Sequence, residues 1–238
     1  MNTDELARDG LVRQQRKSPG HSLMRCPVCE TSSARFFLAI GQRDYWCCES
    51  CRGTFLDPAQ LPDRDREFAH YRLHRNEPGD VGYRHFLARL AAPLLERLAP
   101  ASQGLDYGCG PGPALATMLR EAGHEVALFD PFFQPDREVL MRIYDFITCT
   151  EVIEHFHRPA EEFRKLDALL KPGGWLALMT ELQIDATHFA DWHYPRDPTH
   201  VVFYRAATLR HLAARHGWQC EFPGRNVALM RKRSTPVR

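Results

Sequence analysis

Leu105-Asp106-Tyr107-Gly108-Cys109-Gly110-Pro111-Gly112 is the stretch that decides the fold. An apolar residue leads into an acidic one, and three glycines follow at alternate positions. Pro113 then opens an apolar run at helical spacing: Ala114, Leu115, Met118 and Leu119. A buried strand, a tight loop and a helix N-terminus in direct succession are predicted. Such a junction lets backbone approach a small polar ligand at the carboxyl end of a parallel strand. It points to a nucleotide-like cofactor and so to an enzyme.

The flanking residues continue the alternation. Gly123 ends the helix of about Pro113 to Ala122, and Glu125 to Phe129 reads as a strand. Phe146 to Thr150 is a third apolar run. Pro159 to Leu170 reads as a helix, with Glu161 and Glu162 suited to its first turn. Lys171-Pro172-Gly173-Gly174 reads as a turn into a strand over Trp175 to Met179. Ala206 to His216 is a helix stopped by Gly217. Trp218 to Phe222 and Val227 to Met230 pair as a closing hairpin. Upstream, Phe86, Leu87, Leu90, Leu94, Leu95 and Leu98 recur at helical spacing from Tyr83 onward, with a bend at Pro93. Strands alternating with helices predict an α/β fold, a doubly wound and mostly parallel sheet covered on both faces.

A dinucleotide loop would read G-x-G-x-x-G, but its third glycine position here is Pro113. D-x-G-x-G-x-G instead resembles the loop of class I S-adenosylmethionine-dependent methyltransferases, a Rossmann-like family. The likeness runs over about residues 84 to 232. Tyr144 to His155 looks like that family's fourth-strand motif, and Leu170 to Leu176 like the turn into its fifth strand. The resemblance implies that Gly108, Gly110 and Gly112 make room for S-adenosylmethionine and that Asp106 accepts from its ammonium group. Asp130, ending the second strand, then accepts the ribose hydroxyls, and Glu151 completes the cofactor set. One departure stands out. Only about fourteen residues separate Asp130 from the fourth strand. The third strand must be short, over Val139 to Met141, and Phe132 is open to stacking on adenine or to a core role.

Cys26-Pro-Val-Cys29 and Cys48-Glu-Ser-Cys51 are two C-x2-C knuckles with a ribbon-sized spacer. Four thiolates suit a tetrahedral, structural zinc ion, since no coordination position is left open. Cys47 rivals Cys48, but spacing favours Cys48. Phe36, Phe37, Tyr45, Trp46 and Phe55 supply a small apolar cluster. Cys109, Cys149 and Cys220 read as packed residues.

Glu151, Glu154 and His155 follow the fourth strand, at the sheet edge where ligands bind. A polar, aromatic segment follows the fifth: Phe189-Ala-Asp-Trp-His193-Tyr-Pro-Arg-Asp197-Pro-Thr-His200-Val-Val-Phe203-Tyr204. These residues are candidates to bind and deprotonate a methyl acceptor, with His155 or His200 as base. Glu151, Glu154, His155 and His200 are also similar to the divalent-metal site of methyltransferases that modify the terminal 2'-hydroxyl of small RNAs. The same histidines could instead only hydrogen-bond loop backbone.

The whole chain sets further bounds. Its 238 residues, 44% hydrophobic and 26% charged, suit a globular protein with a small extra module. Residues 1–21 are polar and basic and read as a disordered tail. Residues 22–57 form the zinc ribbon, 58–83 a linker with a short helix near Arg64 to Leu73, and 84–238 the cofactor-binding domain. No stretch is apolar enough for a bilayer span or a secretory signal, and reduced cysteines fit the cytoplasm. The net charge of +1 gives no overall bias toward nucleic acid. Arg8, Arg13, Arg16, Lys17 and Arg25, and Arg231, Lys232, Arg233 and Arg238, read as solvated tails. A small-molecule acceptor is favoured over RNA. Membrane is not expected, and no protein partner is evident. A non-catalytic, methyltransferase-like binding protein is the competing class.

Overall fold

The computed structural model describes residues 23–73, 77–185 and 187–234. The expected tail, 1–21, lies outside them. Six strands form the main sheet: β4 (Gln103–Tyr107), β5 (Glu125–Phe129), β6 (Tyr144–Thr150), β7 (Leu170–Met179), β9 (Gln219–Gly224) and β10 (Val227–Arg231). Their order is β5-β4-β6-β7-β10-β9. The first four run parallel, and β10 and β9 are antiparallel additions. β4 therefore sits between the strands that follow it in sequence. At such a reversal the connections leave toward opposite faces and open a crevice at the strand's carboxyl end.

Period-2 alternation sorts the strand residues to two faces. Phe146, Ala177, Met179, Val227 and Leu229 join one apolar cluster with helices α2 (Val81–Leu95) and α3 (Ala114–Glu121). Ile147, Cys149, Leu176, Leu178, Ala228 and Met230 join the other, against α4 (Pro159–Leu169) and α5 (Ala206–His216). Side-chain caps fix the helix starts that matter for the site. Asp80 accepts from Tyr83 N at the head of α2, and Asp63 from Arg66 N at the head of α1 (Arg64–Tyr71). Gly217, at φ 69°, ends α5.

A second, four-stranded sheet has the order β1 (Ala34–Ile40), β2 (Arg43–Cys48), β3 (Thr54–Leu56) and β8 (Val202–Phe203). The first three belong to the cysteine-bearing module. The last comes from far along the chain and pairs as Thr54 with Phe203 and Phe55 with Val202. The module's core, including Tyr45 and Phe55, is continuous with one face of the large sheet.

Two local expectations are corrected. Val139–Met141 is not a strand; Glu138–Met141 is a single 3-10 turn, because the chain crosses directly from β5 to β6. Lys171–Gly174 is not a turn ahead of a strand. Tyr144 pairs with Leu170 and Phe146 with Trp175, so the four residues bulge out within a strand that starts at Leu170. Among the described residues, no helix is long and apolar enough to cross a membrane.

Gly104 shows how tightly β4 is packed. A Cβ there would lie 2.1 Å from the buried Phe146 ring. We expect Gly104→Ala to destabilise the chain by about 1–3 kcal/mol through overpacking, read as a lower urea midpoint at unchanged slope. An unchanged midpoint would refute this packing.

Candidate active site

The crevice at the end of β4 opens into a cavity of about 1060 Å³. Its floor is the glycine loop. Gly108 has φ +81°, and a Cβ on it would sit 2.5 Å from Val152. Both the left-handed backbone and the contact demand glycine. Gly108 N and Cys109 N donate to the carbonyl of Phe129. Asp130 ties the loop down: Oδ2 accepts from Gly110 N at 3.0 Å, and Oδ1 from Phe132 N and Phe133 N at 2.8 and 3.0 Å. A carboxylate offers about four acceptor sites, so Asp130 keeps room for one further hydroxyl rather than two.

Asp106 lines the same end and is buried. Burial raises its pKa to about 6, against the opposing hydrogen bond from Thr148 Oγ1 at 2.7 Å. Asp106, Asp130 and Glu151 make this end acidic, which suits a cationic ligand. The expected cofactor residues Asp106, Gly108, Gly110, Gly112, Asp130 and Glu151 all line this one cavity.

The same cavity is lined by His155, His200 and Asp197. His155 Nδ1 lies 3.0 Å from the carbonyl of Thr199, and His200 Nδ1 2.9 Å from that of Tyr194. A carbonyl only accepts, so each Nδ1 carries the proton and each Nε2 is the basic nitrogen. The two rings lie 4.8 Å apart. Burial lowers the His200 pKa, partly opposed by Asp197. Asp197 accepts from both Thr199 N and its hydroxyl, and pairs with His70 at 3.0 Å.

A buried polar knot joins Glu151 to the residues beside these histidines. The Tyr194 hydroxyl donates to Glu154 Oε1, lies 3.2 Å from Glu151 Oε2, and contacts Thr180 Oγ1 at 3.1 Å. Burial raises Glu151 to about 7, and burial plus the neighbouring Glu151 holds Glu154 well above the usual carboxylate range. Glu154 is fully buried, and its Oε2 has no hydrogen-bond partner. Donor atoms of Glu154, His155 and His200 lie within 4.8 Å of one another, but Glu151 is not in that set. The expected four-residue cluster is thus a three-residue one, with Glu151 joined to Glu154 through the Tyr194 hydroxyl.

The four knuckle cysteines converge as well, all buried, with Sγ separations of 3.6 Å for Cys26 to Cys51 and 3.5 Å for Cys29 to Cys48. Thiolates ~2.3 Å from a tetrahedral zinc ion lie about 3.8 Å apart, so the cluster has the required size. Ser33 Oγ lies 3.2 Å from Cys48 Sγ, and Cys51 N donates to it at 3.5 Å. Cys109 and Cys149 are buried and Cys220 half-buried.

Residue patterns did not single out the cavity's aromatic wall. α1 brings Tyr71 against His155, with ring centroids 5.3 Å apart, and stacks Phe68 on Phe132 at 5.7 Å. The Arg64 guanidinium also lies over the Phe132 ring. Phe132 is thus engaged by the protein's own groups while it also lines the cavity. Tyr83 and Phe86 of α2 add to the wall. Only the aromatic density of residues 189–204 hinted at Tyr194.

A model of the methyltransferase-domain family matches residues 83–221, more than half of the chain. The chain belongs to that family. Ubiquinone biosynthesis O-methyltransferase of Serratia proteamaculans is 32% identical over 91 residues, 38% of this chain and 38% of that protein. The protein of the same name from Bordetella avium is 29% identical over 123 residues, 40% of this chain and 51% of that one. The chain therefore matches about half, or less, of these relatives' length. A solved structure, the 1,6-didemethyltoxoflavin-N1-methyltransferase of Burkholderia thailandensis with bound 1,6-didemethyltoxoflavin and S-adenosylhomocysteine, aligns with a TM-score of 0.50 at 15% identity. It covers 84% of this chain and 99% of its own. At that identity the likeness is one of fold.

Tyr194→Phe should cost about 1–3 kcal/mol, since it strips a donor from buried carboxyls. Thermal unfolding of the variant checks this; wild-type stability would mean the knot is not as tightly bonded as described.

Proposed function

We propose that this protein transfers a methyl group from S-adenosylmethionine to a hydroxyl oxygen of a small molecule. One observation carries the reading: a single cavity joins the acidic glycine-loop end to the imidazole end. The family membership and the O-methyltransferase names of the relatives support it.

The bound donor supplies a sulfonium methyl that needs no further activation. The chain's own residues align the acceptor, exclude water and take a proton. Asp106 accepts from the donor's ammonium group, Asp130 accepts one ribose hydroxyl, and the glycine loop leaves space for both. Ionised Asp106 is costly when the cavity holds no cation, and a cation there offsets that cost. His155 or His200 accepts the hydroxyl proton at Nε2, with neutral imidazole favoured at His200 by burial. Alignment of this kind can supply roughly 7–11 kcal/mol, and a positioned base a further 10²–10⁴-fold, as an order of magnitude. The near-zero net charge favours a small solute over RNA.

The four converging cysteines support a structural zinc ion at Cys26, Cys29, Cys48 and Cys51, holding the small sheet folded. A second divalent ion at Glu154, His155 and His200 is the alternative use of the imidazole end. The partnerless Glu154 Oε2 favours it, as do the two imidazoles fixed by backbone carbonyls. Such an ion would polarise the acceptor's hydroxyl.

Transfer of a labelled methyl group into a cell lysate tests the function. Label in small solutes, insensitive to ribonuclease, is expected. Nuclease-sensitive label would mean RNA, and no binding of S-adenosylhomocysteine by calorimetry would mean a non-catalytic scaffold. Affinity for S-adenosylhomocysteine should hold above pH 6 and weaken about tenfold per pH unit below it, as Asp106 protonates. Asp106→Asn should be weak and pH-insensitive over that range. For the metals, elemental analysis should find one zinc per chain, lost with unfolding in Cys51→Ser. A second ion absent from His200→Ala would support the metal alternative, and one ion in both proteins would exclude it.

A further inference from the structure

The segment bearing His200 is paired with itself only by short turn bonds, from Arg196 N to His193, Asp197 N to Tyr194 and His200 N to Asp197. From residue 194 to 200, every carbonyl but that of Arg196 accepts from a side chain, and those of Tyr194 and Asp197 also accept from the backbone N–H groups of Asp197 and His200. Those of Tyr194 and Thr199 accept from the imidazoles of His200 and His155. Four of the others accept from one residue of the cysteine module. Arg43 Nη1 donates to the carbonyls of Pro195 at 2.9 Å and Asp197 at 3.1 Å. Its Nη2 donates to those of Pro198 at 3.4 Å and His200 at 2.9 Å. The carbonyls that fix the two imidazoles are thus interleaved with those that Arg43 holds.

Arg43 opens β2 and is half-buried. Its guanidinium lies over the Tyr45 ring, 5.6 Å from the centroid. Tyr45 is fully buried and packs on Phe203 of β8. The guanidinium therefore extends from the small sheet's own core. A planar fork can serve four carbonyls at once, and a lysine ammonium, with one nitrogen, cannot.

We infer that Arg43 is the positioning residue that sets the tautomer and aim of His155 and His200, so that the cysteine module serves as one wall of the acceptor site. This deepens the methyl-transfer reading and rests on it for its kinetic arm. The module thereby gains a role beyond its own fold: it holds loop 194–200 in register with the glycine loop, which lies on the other sheet.

The test uses the full chain in its metal-bound form, with Arg43→Ala and Arg43→Lys. Nitrogen NMR of histidine-labelled protein reads the imidazoles directly. Wild type should show His155 and His200 each locked with the proton on Nδ1. Both variants should show averaging between tautomers, and millimolar guanidinium should restore the locked signals in Arg43→Ala but not in Arg43→Lys. Calorimetry with S-adenosylhomocysteine should stay within about twofold of wild type, since the glycine loop is untouched. Methyl transfer into the small-solute fraction of a lysate should fall about 10²-fold, the loss typical of a misaligned site, with partial guanidinium rescue in the Ala variant. Wild-type imidazole spectra in either variant would overturn the inference. If Arg43→Ala fails to fold, Arg43→Lys decides it by the same spectra. If wild type transfers no label, the methyl-transfer reading fails, while the spectra still decide the role of Arg43.

Discussion

The position of β4 between β5 and β6 is the constraint on which the rest depends. It opens a crevice that no strand or helix of the described residues fills, and the chain must cross its floor in a tight, left-handed loop. Only glycine at 108 meets both the backbone angle and the contact with Val152. Asp130 then fastens that loop to the neighbouring strand through Gly110 N. An acidic, preformed cleft of this kind suits a positively charged cofactor.

The cavity's other walls come from distant parts of the chain. α1 delivers Tyr71 and the Phe68–Phe132 stack. The 194–204 segment delivers His200 and Asp197, then leaves as β8 to complete the small sheet. One consequence is mechanical: displacement of the cysteine module would reach the imidazoles through β8 and Arg43, without touching the glycine loop. The glycine loop and the imidazoles are in this sense built on separate supports.

Much of the large sheet was legible in the residues. Glu125 to Phe129 and Ala206 to His216 were bounded correctly because glycines 123 and 217 mark their edges and the apolar periods are clean. The glycine loop and its acidic partners converge as expected, since they are local to consecutive strand ends. What could not be read depends on long-range geometry. A two-residue strand such as Val202–Phe203 carries too little pattern to say which sheet it joins. The Lys171–Gly174 bulge has the composition of a turn, and only pairing with β6 reveals it as an interruption within a strand. Arg43 looks like any surface cation, because its partners lie more than 150 residues away. Glu151 lies outside the histidine cluster and meets Glu154 through the Tyr194 hydroxyl, which spacing along the chain does not encode.

The most direct measurement is a crystal structure of the full chain soaked with S-adenosylhomocysteine. The ligand should lie across Gly108 to Gly112 with its amino group on Asp106 and one ribose hydroxyl on Asp130. Its sulfur should face the end of the cavity that holds His155 and His200. A ligand bound elsewhere, or a crevice closed by the chain's own side chains in the soaked crystal, would contradict the account.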